Sequence, residues 1–277
     1  MEERSLNILS AIIYGIIQGA AEFLPISSSG HLLIAQHFLG GSIEADYFTF
    51  DILLHLATLF SVTVFYIKDI LPLFPAFFRV LGKLFRGKLR YRDCDGDERL
   101  IVLLFVASLP LLLVPLFGDK VENIGIGAVA LLLILNGVIL FLSELIPKGS
   151  KDIYSAKPRN AFFVGLCQLA AVFPGLSRSG STITAGRLSR FDPKFAVKFS
   201  FLMSIPAVIG ANIFKLGDVI STPVPKGDII PYAVGMVFAS AVGILSMKLI
   251  QALTKKSSFR FFSVYCVLVG ITVLIFR

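Results

Sequence analysis

Glu22, Ser28 and His31 fall within ten residues of one another, beside Ser27 and Ser29, in an otherwise apolar stretch. A carboxylate, a hydroxyl and an imidazole at that spacing could do acid–base and nucleophilic chemistry. Glu22 could act as a general base, bind a divalent cation, or hold His31 or Arg178 in place. His31 lies one turn from Ser27 and Ser28; it could take a serine proton, give one to a leaving group, or itself be the nucleophile. Gln18 and Glu22 are four apart, so they share a helix face that leads into the serines. Arg178 stands in a second serine-rich turn, with Ser177, Ser179 and Thr182 around it. An arginine at membrane depth costs about 2.5–3.5 kcal/mol on insertion scales and is read as functional. Its planar fork can grip two phosphate oxygens at once. Asp51 and His55, in FDILLHLAT, form another pair on one helix face, and Asp51 is a supporting candidate.

These groups sit in a duplicated segment. GIIQGAAEFLPISSSG, Gly15 to Gly30, aligns without gaps with GLCQLAAVFPGLSRSG, Gly165 to Gly180, and eight of sixteen positions are identical. The copies differ where chemistry appears: Glu22 faces Val172, Ser28 faces Arg178, and His31 faces Ser181. Complementary polar groups on a duplicated scaffold suggest one site built from both halves. In each copy a helix is expected to start at the serines, so two helix N-termini with free N–H groups would face an anion.

The elements that must carry them are membrane helices. The chain of 277 residues is 56% hydrophobic, which excludes an ordinary soluble balance. Six apolar runs approach the ~20 residues that a span needs: roughly 49–68, 100–117, 125–146, 194–214, 231–252 and 259–276. Regions 8–40 and 160–190 are apolar but broken at the centre by Pro, Ser and Gly. Irregular backbone at that depth must be satisfied by protein or a water-filled cavity, so each reads as a re-entrant helical hairpin; a full span kinked at proline is the alternative. The start, MEERSLN, lacks the pattern of a cleavable signal.

The net charge of +8 does not point to nucleic acid, because the cations lie in short loops between apolar runs. Loops 82–99 and 147–159, the segment Arg187 to Lys198, and Lys255 to Arg260 carry most of them. With six spans and two hairpins, all four clusters fall on one face, the cytoplasmic one by the positive-inside rule. The connections around Asp119 to Asn123 and Lys215 to Pro231 then lie outside, with both termini. Residues 1–147 and 148–277 each hold one hairpin and three spans. Three is odd, so the halves are inverted and the hairpin tips can meet within the membrane. The expected fold is an all-α integral membrane protein with an inverted-topology repeat. Glu144 and Asp119, at span ends, read as merely solvated. Cys94, Cys167 and Cys266 lack metal-ligand spacing and read as structural.

QGAAEFLPISSSGHL resembles the first signature of the bacitracin-resistance family, the undecaprenyl-diphosphate phosphatases, and PGLSRSGST resembles its second. FDILLHLAT and FSFLMSIPAVIGA are similar to further family stretches, so the resemblance runs the whole length. It implies a hydrolase that removes the terminal phosphate of undecaprenyl diphosphate, recycles the cell-wall lipid carrier and confers bacitracin resistance. It places Glu22, Ser28, His31 and Arg178 at the active site, and implies phosphate contacts from Ser27, Ser29, Ser177, Ser179 and Thr182 with Gln18 in support. Gln18 stands where many members have Glu, and Lys198 where some have Glu.

Ser28 attacking with help from His31 and Glu22, or His31 attacking with Ser28 as a phosphate contact, both fit these residues. A divalent cation, magnesium or calcium, would be held by Glu22 and Gln18. The expected partners are an isoprenoid diphosphate lipid and the bilayer. Oligomeric state is open, a homodimer included. The expected location is the plasma membrane, with the site opening to the outer face. The competing class is a polyprenyl-phosphate transporter or flippase, since inverted repeats with broken helices also build transporters.

Overall fold

The computed structural model describes residues 6–39, 48–118, 121, 124–221, 225–256 and 259–277. Asp119, Asn123 and residues 222–224 of the two connections expected outside lie beyond the described residues. The described chain is helical, with one isolated bridge between Lys151 and Phe191.

The first broken region forms α1 (Ile8–Phe23) and α2 (Ser28–Leu39). Asn7 caps α1 by accepting from the Leu9 N–H. The helix ends just before Leu24-Pro25, because a residue preceding proline is pushed out of the helical region. α3 (Phe48–Phe65) follows, then the short α4 (Ile67–Ile70) and α5 (Leu73–Phe85). α6 (Gly96–Ser108) starts with a capping box from Asp95 and Glu98, and runs into 3₁₀ turns over Leu109–Phe117. α7 (Ile126–Ser143) closes the first half. The second broken region forms α8 (Pro158–Ala170) and α9 (Arg178–Leu188), followed by α10 (Pro193–Ser221), α11 (Ile229–Lys256) and α12 (Arg260–Phe276).

Among the described residues four helices are long and apolar enough to cross a bilayer: Gly96–Phe117, Ile126–Ser143, Pro193–Phe214 and Ile229–Thr254. The chain is a multi-pass helical membrane protein. Two of the six expected spans come out differently. The first leaves its axis after Phe65, where the chain bends by 78° into Ile67–Phe85, and this pair together could make a fifth crossing. The last, α12, has 17 residues, short of the ~20 that a perpendicular span needs. α5 was not foreseen as a helix. Its Phe74, Phe77, Phe78 and Phe85 are exposed, while Arg79 and Lys83 turn back to the buried Glu98, at 3.3 and 2.5 Å.

Small residues let the helices close on one another, as they do where lipid provides no hydrophobic drive. Gly15 and Gly19 set α1 against Gly235 and Ala239 of α11. Gly165 sets α8 against Ala107 of α6, and Gly137 sets α7 against Ser263 of α12. Aromatic residues fill the interior beside the broken helices; Phe23 and Phe201 meet edge to face at 5.6 Å.

The basic segments touch one another. Arg99 donates to the Tyr154 carbonyl at 2.7 Å, Tyr91 to the Ala156 carbonyl at 2.8 Å, and Lys151 Nζ to the Ser189 carbonyl at 2.9 Å. Glu144, expected to be solvated, instead has its side chain only 6% exposed, held between Arg187 at 3.1 Å and the Phe259 N–H at 2.9 Å. Those contacts gather all four basic segments at one end of the helices.

Candidate active site

The two serine turns meet. The Gly175 N–H donates to Ser27 Oγ at 3.1 Å, and Ser179 Oγ donates to the Leu24 carbonyl at 3.2 Å. Asn136, from α7, donates to the Pro25 carbonyl at 2.9 Å and accepts from the Ser177 N–H at 3.1 Å. One side chain thus closes a polar group on each turn. Ser27 sits at φ 73°, a left-handed conformation that costs a non-glycine residue roughly 1–2 kcal/mol. Its carbonyl and hydroxyl both serve the next turn: the His31 N–H donates to its oxygen at 3.2 Å and the Gly30 N–H to its Oγ at 3.3 Å. Ser177 caps α9 in the ordinary extended conformation, accepting from the Gly180 N–H at 3.1 Å. Both expected helix starts are present.

At this junction Glu22, 8% exposed, is the hub. Its Oε1 pairs with an Arg178 guanidinium nitrogen. Its Oε2 accepts from Ser28 Oγ at 2.8 Å and from Gln18 Nε2 at 3.2 Å. His55 Nε2 lies 4.0 Å from the same oxygen, while His55 Nδ1 is 3.7 Å from Asp51 Oδ1 and 2.9 Å from the Asp51 carbonyl. A line of polar groups therefore runs Asp51–His55–Glu22–Ser28. Arg178 also donates to the Ser200 carbonyl at 3.4 Å.

The tertiary arrangement sorts the candidates. Glu22, Ser28, Arg178 and Gln18 are in direct contact. Ser28 and Ser29 are half-buried. Ser27, Ser177, Ser179 and Thr182 are fully buried and spend their hydroxyls inside the protein; Thr182 Oγ1 bonds the Arg178 carbonyl at 2.8 Å and Ser200 Oγ at 2.6 Å. His31 turns away from Ser28: Nδ1 lies 2.8 Å from the Ser27 carbonyl and Nε2 3.0 Å from Tyr265 Oη. Lys198, the other departure, pairs with Asp69 at 2.5 Å. Among the described residues no three His, Cys, Asp or Glu side chains converge as metal ligands. Gln18 Oε1 is buried without a donor, and Gln168, its counterpart in the second copy, is buried with neither amide atom bonded.

Sequence reasoning missed Asn136, Ser200 and Tyr265. Asn136 carried a usable signal, a lone amide inside an apolar run. Tyr265 carried none, since a tyrosine in a membrane helix is ordinary.

A helical membrane protein whose buried carboxylate links a serine and an arginine from two repeated turns belongs to a narrow class. The family model for the bacitracin resistance protein BacA matches residues 11–272 of this chain. It is 38% identical to the undecaprenyl-diphosphatase of Methanobrevibacter smithii over 97% of each chain. It is 34% identical to that of Halothermothrix orenii over 98% of each, and 33% identical to undecaprenyl-diphosphatase 1 of Bacillus cereus over 99% of each. The chain belongs to the BacA family.

Proposed function

We infer that this chain is a membrane phosphatase that hydrolyses undecaprenyl diphosphate to undecaprenyl phosphate and inorganic phosphate. That reaction recycles the lipid carrier of wall synthesis and underlies bacitracin resistance. Membership over nearly the full length supports the reaction, since the relatives carry that activity in their names. The observation that carries the mechanism is the hydrogen bond from Ser28 to Glu22, beside Arg178.

The bond to be broken is the phosphoanhydride between the two phosphates, and enzymes typically accelerate their reactions by about 10⁶–10¹⁷-fold. The site must supply a nucleophile and stabilise charge on the transferring group. Ser28 Oγ attacks the terminal phosphorus in line and its proton passes to Glu22 Oε2. The bond from that phosphorus to the bridging oxygen breaks, and the lipid monophosphate leaves. The Glu22 proton passes to the departing phosphate oxygen; Glu22 then takes a proton from the water that attacks the phosphoserine, and returns it to Ser28 Oγ as inorganic phosphate is released. Arg178 has guanidinium N–H groups beyond its bond to Glu22. These, the Ser28 and Ser29 hydroxyls and the N-termini of α2 and α9 receive the phosphate oxygens. The variant in which His31 Nε2 attacks requires that nitrogen to leave Tyr265. Identifying the phosphorylated residue by mass spectrometry separates the two.

A divalent cation, magnesium or calcium, fits one observation: Gln18 Oε1 is a buried acceptor with no donor, next to the Glu22 carboxylate. Gln18 and Glu22 would hold it, and when bound it would neutralise phosphate charge.

The finer architecture follows the same reading. Six crossings and two re-entrant hairpins form two inverted halves, 1–147 and 148–277. The gathered basic segments lie on the cytoplasmic side of the plasma membrane, and substrate enters from the outer leaflet. The deciding experiment is phosphate release from undecaprenyl diphosphate by purified protein, with and without chelator. A transporter or flippase gives no release.

A further inference from the structure

His31 is held at both ring nitrogens. Nδ1 faces the Ser27 carbonyl at 2.8 Å. A carbonyl can only accept, so Nδ1 carries the proton of the neutral ring and the lone pair is on Nε2. Tyr265 Oη stands 3.0 Å from that lone pair, so the tyrosine donates. The two rings are parallel within 9°, with centroids 5.6 Å apart. Tyr265 comes from α12, at the far end of the sequence, and is half-buried.

We propose that Tyr265 is a positioning residue for the hydrolysis, its hydroxyl holding the ring orientation of His31 and, through the His31 bond to the Ser27 carbonyl, the turn that presents Ser28. This rests on the phosphatase reading above. An imidazole fixed at one nitrogen alone can still tilt about that bond. Ser27 on one side and Tyr265 on the other leave one orientation, with the Nε2 lone pair taken up by Tyr265. The Ser27 carbonyl on Nδ1 sets the tautomer, and Tyr265 on Nε2 fixes the ring. A hydroxyl can also follow the proton: it donates to the neutral ring and accepts from the imidazolium, so the ring and the turn it braces stay in place in either charge state. The parallel rings give Tyr265 a packing role as well, and Tyr265→Phe keeps that role while removing the hydroxyl.

The test uses full-length protein labelled with ¹⁵N-histidine; there are three histidines, and the His31 signals are those absent from His31→Asn. Wild type should show His31 as the Nδ1–H tautomer, with Nε2 shifted by a donor. In Tyr265→Phe the Nε2 resonance should move to that of a lone pair without a donor, kcat for phosphate release should fall at least about tenfold, and KM should stay within about twofold. An Nε2–H signal for His31 in wild type overturns the assignment with no variant needed. An unmoved resonance in Tyr265→Phe overturns it too, as does a moved resonance with unchanged kcat, which would make the hydroxyl merely structural. A raised KM at constant kcat would make Tyr265 a substrate contact instead, and so also overturns it. No turnover in wild type removes the phosphatase reading and this role with it; a fully active Tyr265→Phe beside an active wild type removes this role alone.

Discussion

Ser28 Oγ donates to Glu22 Oε2 over 2.8 Å, from the first residue of α2 back to the last turn of α1. The bond gives Glu22 a proton to take. Glu22→Gln keeps a hydrogen-bonding side chain but loses the base, and a positioned base contributes about 10²–10⁴-fold. We expect kcat to fall by that order in Glu22→Gln, and by much less in Gln18→Ala. Equal losses at equal expression would mean that the two side chains act as a unit.

Arg178 is the cation paired to that carboxylate. Arg178→Ala should cost at least about 10²–10³-fold, the loss typical of one stabilising donor. Arg178→Lys should recover only part, because a point charge cannot reproduce the fork. Full activity in the lysine variant, measured as phosphate release, would show that charge alone matters.

Asn136 bridges the two turns from within the protein. Asn136→Ala leaves the Pro25 carbonyl and the Ser177 N–H without that partner. Unsatisfied buried groups cost about 1–3 kcal/mol each. The expected outcome is a lower Tm in detergent together with a loss of kcat. Asn136→Asp should restore the Ser177 bond but not the Pro25 bond.

Asp95 caps α6 on the basic side of the protein. The Glu98 N–H bonded to its carboxylate, with Arg79 nearby, holds its pKa below the ordinary carboxylate value. A depressed folded pKa means that the contribution is complete at neutral pH and is lost as pH falls through the folded value. Asp95→Ala should therefore unfold at a lower temperature than wild type at pH 7, and the gap should close in acid. A gap independent of pH would exclude the ionised cap as its source.

The orientation is testable by thiol labelling once Cys94, Cys167 and Cys266 are replaced. Cysteines at Lys88 and Lys151 should be shielded from an impermeant reagent in intact cells, and cysteines at Gly125 and Gly227 should react. The reverse pattern would move the basic segments outside. An impermeant diphosphate analogue should compete with turnover in intact cells if substrate enters from the outer leaflet.

Sequence alone determined that this is a helical membrane protein, and that Glu22, Ser28 and Arg178 belong to two copies of one segment. Apolar length, broken by Pro, Ser and Gly at matching places, is a one-dimensional signal, and both helix starts fell at the serines. Spacing along one chain could not say which polar group meets which. Ser28 and His31 are three residues apart, close enough to pair, yet α2 turns the imidazole towards Tyr265 on α12 and leaves the hydroxyl to Glu22. Ser27, Ser177, Ser179 and Thr182 read in the sequence as phosphate contacts beside a catalytic Ser28. Packing the turns together consumed their hydroxyls, because buried polar groups must be bonded within the protein. Glu144 looked solvated until Arg187 and Phe259 closed over it. Only the tertiary structure sets such choices, since they depend on partners from different helices and turns being brought to hydrogen-bond distance, as far apart in the chain as His31 and Tyr265.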